Sequence, residues 1–159
     1  MSPAPGPVAR WVPVVTLLLS LAGLGVSGYL TFTHFAGTRY LACSATGLVE
    51  CGVVTTSPQS YILDIPVAVL GLIDFVALVA LMTPGAWRST RGWVHWARLA
   101  LVTVSMAMVV WLVAAEILII GHICIWCTAV HVITFALFAI VLAFRPVLDL
   151  AAVPDAPTR

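Results

Sequence analysis

Four apolar runs, each close to the thickness of a bilayer, limit what this chain can fold into. Val12 to Phe35 and Ile123 to Phe144 carry no full charge, Ile65 to Met82 is interrupted only by Asp74, and Leu99 to Ile120 holds Glu116 near its far end. A helix needs about 20 apolar residues to cross a hydrocarbon core roughly 30 Å thick. With 8% of its residues charged, against about 25% in soluble domains, the chain reads as an all-α integral membrane protein. A four-transmembrane-helix bundle is expected, with helices at about 12–35, 62–82, 96–120 and 123–144 in one membrane unit, 11–145. Cytoplasmic tails are expected on either side of it, a disordered Pro-rich one at 1–10 and another at 146–159. The first run exceeds the roughly 7–15-residue core of a signal peptide, so it reads as a retained span.

Arginine placement sets the expected orientation. Arg10, Arg88, Arg91, Arg98, Arg145 and Arg159 fall at one side of the spans and only Arg39 at the other. The positive-inside rule then puts both termini and the loop at 83–93 in the cytoplasm, with the chain in the cytoplasmic membrane. No basic run or Gly-rich phosphate loop appears, which leaves no case for nucleic acid.

All four cysteines land on the outer side, as two pairs. Cys43 and Cys51 lie in the outer loop at 36–64, at a spacing that suits a small disulfide-closed loop. That loop is too long for a mere connector. Its apolar stretch from Leu48 to Val54 predicts a short interfacial helix lying over the bundle as a lid. The second pair is Cys124-Ile125-Trp126-Cys127, at the mouth of the last run. A helix N-terminus offers unpaired N–H groups and favours thiolate over thiol. A bridge between residues one turn apart closes almost no loop, so it adds little stability and is kept for its chemistry.

Two unequal pairs point to a relay. Thiols of a partner reduce the mobile Cys43–Cys51 disulfide, which in turn reduces the fixed pair through a mixed disulfide. Cys127 lies one turn deeper than Cys124, where a lipid-soluble quinone is the natural acceptor. The competing reading is a non-enzymatic membrane scaffold with structural disulfides or an all-cysteine zinc site. Cys43 and Cys51 are spaced too widely for a zinc knuckle, and no metal site is expected.

Other polar residues have roles to compare. Gly121, His122 and Ile123 alone separate the last two helices, which makes these antiparallel neighbours and brings Glu116 level with the C-x-x-C motif. Glu116 serves proton delivery or quinone-site polarity, or else an interhelical bond, and Asp74 reads as structural. His131 is raised above an ordinary core histidine only by lying four residues after Cys127. Gly23, Gly25, Ser27 and Gly28 form a small-residue packing face. Tyr29 and His34 read as an interfacial belt, and Trp87 as interfacial loop material.

The order of pairs, followed by Ser57, the segment Ile65-Pro66-Val67-Ala68-Val69-Leu70-Gly71 and Cys124-Ile125-Trp126-Cys127-Thr128, resembles the bacterial homologues of vitamin K epoxide reductase. The likeness runs from about Val12 to Phe144. The disulfide-bond-forming protein B family differs, since its C-x-x-C lies in the first outer loop. The resemblance implies that the partner attacks Cys43, that the freed Cys51 attacks Cys124, and that Cys127 faces the quinone with Ser57 as a nearby hydroxyl donor. It also implies a separate exported thioredoxin-fold (DsbA-like) partner. Asp64 stands where the family commonly has Gly, and His131 where it often has Tyr; a histidine can hydrogen-bond a quinone carbonyl and shuttle a proton. The all-arginine basic complement points to a GC-rich genome, and so to menaquinone rather than ubiquinone.

Overall fold

The computed structural model describes residues 9–43 and 46–144; of the expected tails, residues 1–8 of the one at 1–10 and all of the one at 146–159 lie outside them. Helix α1 (Trp11–Ala36) leads into a 3-10 turn, and a six-residue helix α2 (Cys51–Thr56) follows in the long loop. A minimal antiparallel hairpin, β1 (Tyr61–Ile62) and β2 (Ile65–Pro66), precedes α3 (Val67–Leu81). The short α4 (Pro84–Trp87) precedes α5 (Gly92–Ala114), which continues as a π-helical segment at Ala115–Ile120. The last element among the described residues is α6 (Ile125–Ala143). Three helical stretches, Trp11–Ala36, Gly92–Ile120 and Ile125–Ala143, are long and apolar enough to cross a membrane. Helix α3 packs on α1 and α5 but has 15 residues, about 22 Å at ~1.5 Å per residue.

Helix α3 begins at Val67, not at the expected 62, because the backbone turns back on itself first. Leu63 and Asp64, between the strands, both have positive φ, 51° and 63°, as a two-residue hairpin turn of the I′ kind requires. Asp tolerates this region; Leu does not favour it. Pro66 then serves as N-cap of α3. In the long loop the helix starts at Cys51, not Leu48, since Thr46 and Val49 pair across a turn at Gly47 (φ 60°). Leu48 is exposed, while Cys51 and Val54 are buried.

Helix α1 has an inside-out polarity. Thr16, Ser20, Gly23 and Ser27 line the buried face of α1, and large apolar side chains such as Leu18, Leu21 and Phe32 point outward. Their hydroxyls cause little penalty, because Thr16 and Ser20 donate to carbonyls one turn back at 2.8 Å. Gly25 has nothing near it and falls off the packing face assigned to it. Gly23 has no such freedom. A Cβ there would overlap the Phe75 ring of α3. Gly23→Ala is therefore expected to destabilise the bundle by about 1–3 kcal/mol through overpacking, seen as a lower melting temperature in detergent.

At the end away from the cysteines, Trp87 is buried in the core. Its Nε1 donates to Thr16 Oγ1 at 3.1 Å. Arg98 stacks 3.9 Å over the Trp87 ring and donates twice to the Leu81 carbonyl, at 3.1 and 2.9 Å. A guanidinium thus caps the last turn of α3, a good match to the negative end of its dipole.

Candidate active site

Backbone pairing between two distant loops builds the site. Val49 and Ile123 form a parallel bridge, with Ile123 N–H donating to Leu48 O at 2.8 Å and Glu50 N–H to Ile123 O at 3.1 Å. One residue beyond the bridge on one chain segment is Cys124; two beyond on the other is Cys51. The pairing therefore delivers Cys51 and Cys124 into one buried cluster with Val54, at 1% and 0% exposure. Cys43 and Cys51 are joined as a disulfide with a Cα–Cα distance of 6.1 Å. Cys124 and Cys127 are free thiols.

The segment carrying Cys43 is held by two aromatic residues. The Tyr29 hydroxyl accepts from Ala42 N–H at 2.7 Å and donates to Tyr40 O at 2.9 Å. Trp126, inside the C-x-x-C motif, donates from Nε1 to Ala42 O at 2.8 Å, and its ring lies 4.8 Å from that of Tyr29. Tyr29 is thus more than an interfacial anchor. Nothing in its local sequence signals this role; the contacts join α1, the loop and α6.

Cys124 is the N-cap of α6, and its sulfur accepts from Cys127 N–H at 3.3 Å. A hydrogen bond from the Cys127 thiol holds the Cys124 thiol below its ordinary range against the opposing effect of burial. The Cys127 and Trp126 backbone N–H groups act in the same direction, and the Glu116 carboxylate opposes them. The helix start thus contributes only the smaller part, through those two N–H groups; the neighbouring thiol contributes more.

The two thiols have different surroundings. Cys127 lines a cavity of about 270 Å³ between the helices, near the roughly 300 Å³ lower end for small-molecule sites. Its walls are mainly apolar, with Ser57, Glu116 and His131 among the polar groups facing it. The Ser57 hydroxyl donates to Val54 O at 2.8 Å, so it must turn away before it can donate elsewhere. Asp74 also lines this cavity, and Ser105 Oγ lies 2.9 and 3.0 Å from its two carboxyl oxygens. His34 of the supposed belt lines it too, 3.4 Å from the Tyr61 hydroxyl. A second hollow, of about 440 Å³, is bordered by Cys43, Cys51 and Glu50.

An apolar helical bundle holding a disulfide against a second, reduced cysteine pair defines a membrane disulfide oxidoreductase. The family model for the vitamin K epoxide reductase family matches residues 14–142. The chain belongs to that family.

Proposed function

We propose that the chain carries electrons from the thiols of an exported thioredoxin-fold protein through Cys43 and Cys51 to Cys124 and Cys127, and on to a membrane quinone, so that disulfide bonds form in exported proteins. The observation that carries this reading is the Val49–Ile123 bridge, which seats Cys51 beside Cys124. Thiol exchange requires one sulfur to reach another, and a shared buried cluster supplies that proximity. In this reading Cys43 takes the partner's attack, in the hollow it shares with Glu50. Cys51, freed, attacks Cys124, and α2 serves as the lid that carries it.

The cavity beside Cys127 suits a quinone ring: apolar walls exclude water, and a few polar groups orient the carbonyls. When bound, the quinone accepts two electrons and two protons. Ser57, His131 and Glu116 are the residues that would hold it, with menaquinone favoured over ubiquinone. All four long helices, the shorter α3 included, are taken to span the cytoplasmic membrane, with both termini inside and the cysteines outside; the arginine distribution supports this. A scaffold with structural disulfides is the other reading, and it has no use for two unbridged thiols, one of them lining a cavity.

Vesicles holding the purified protein and menaquinone decide between them. Adding a reduced thioredoxin-fold protein is expected to give one quinone reduced for each disulfide made. A partner that stays reduced would contradict the proposal.

A further inference from the structure

Glu116 is a carboxyl group where carboxyl groups are costly, and the backbone is reshaped around it. It is 6% exposed and lies in the π-helical segment Ala115–Ile120. Such turns are rare and concentrate at functional sites. Gly121, at φ 72°, ends the segment by donating its N–H to the Glu116 carbonyl at 2.9 Å. The next three side chains, Ile117, Leu118 and Ile119, are all exposed. Glu116 is the polar residue of this segment, and it is directed inward. There the Cys124 backbone N–H faces its carboxyl group, and it shares the cavity with Cys127 and His131.

We propose that Glu116 is a catalytic carboxyl of the C-x-x-C pair, taking the protons its thiols give up on oxidation and returning them on reduction. This rests on the oxidoreductase reading above. Closing the Cys124–Cys127 disulfide breaks two S–H bonds, forms one S–S bond, and releases two electrons and two protons. The electrons leave with an acceptor of the quinone class. The protons pass in turn through the Glu116 carboxylate, which ends as it began, and the acceptor's uptake of two electrons and two protons balances the exchange. A thiol buried under mainly apolar walls needs a nearby base to receive its proton, and a carboxylate lining the same cavity supplies one. Negative charge on Glu116 and on either sulfur repel, so the three groups share protons rather than titrate independently. Among the described residues, Cys127 and His131 of α6, Asp74 of α3 and His34 of α1 are the titratable groups that line this cavity with Glu116, and Cys124, the N-cap of α6, lies in the adjoining cluster against which Cys127 packs.

The test uses full-length protein lacking Cys43 and Cys51 (both to Ala), reduced and free of quinone, so that only the C-x-x-C thiols react. Alkylation by iodoacetamide is followed against pH. The parent is expected to show a two-step profile. Glu116→Gln is expected to show one step at lower pH, with alkylation near neutral pH roughly tenfold faster. Glu116→Asp, which keeps the charge farther away, is expected to keep two steps with narrower spacing. In the four-cysteine protein, Glu116→Gln is expected to slow quinone-dependent turnover about 10²-fold. Faster alkylation together with slower turnover is a combination that lost packing does not produce. Profiles that superimpose for parent, Gln and Asp forms, or a Gln form that turns over within twofold of wild type, would overturn the role. Wild-type protein that never reduces quinone overturns the parent reading instead, and the alkylation profiles then decide Glu116 alone.

Discussion

Replacing Cys127 by alanine is expected to reduce quinone-dependent oxidation of the partner to background, a loss on the order of 10⁴-fold or more for removal of a reacting group. The loss should be the same whether electrons come from a thioredoxin-fold protein or from dithiothreitol. Cys127 is the member of the pair that lines the cavity, and no other free thiol among the described residues does so. Cys124→Ala should be equally inactive for a different reason. It removes the sulfur packed beside Cys51 and the N-cap that accepts from Cys127 N–H. Loss of that cap costs about 1 kcal/mol of helix stability, too little to explain a dead enzyme by unfolding. Assays of quinone reduction with each electron source, alongside a melting curve, separate these causes.

The outer pair should behave differently. Cys51→Ala or Cys43→Ala is expected to abolish oxidation of the protein partner while leaving oxidation of dithiothreitol largely intact, because a small dithiol can reach the inner pair without the relay. The two-donor comparison is the direct readout. Equal loss with both donors would mean that the Cys43–Cys51 disulfide acts only as a structural brace for the loop. Tyr29 and Trp126 already hold Ala42 from two sides, so the loop has anchorage that does not depend on the bridge.

Much of this site is legible in the residues themselves. The C-x-x-C motif at the mouth of an apolar run places a sulfur at a helix start, and Cys124 is indeed the N-cap of α6. The spacing of Cys43 and Cys51 suits the disulfide they form. What cannot be read is how the two pairs meet. A single parallel bridge between Val49 and Ile123 is a pairing too short to leave any periodic trace. The start of α3 is hidden for a related reason. Ile62 and Ile65 are as apolar as the helix that follows, and Leu63-Asp64 lacks the Asn-Gly or Gly signature that marks a hairpin turn. Trp87 misleads because a tryptophan near a membrane boundary is usually interfacial. Only the distant Thr16 and Arg98 reveal it as core. Asp74 gives no local hint of Ser105 or of the cavity the two share, since that association depends on how α3 and α5 pack.

The relay stands or falls on whether Cys51 and Cys124 exchange. The double variant Cys43→Ala/Cys127→Ala retains only these two cysteines, each without its usual partner. Mild oxidation in the membrane, acid quenching and non-reducing peptide mapping should recover a Cys51–Cys124 disulfide in nearly every molecule. Recovery of both residues as alkylated free thiols, with the fold intact, would contradict the relay.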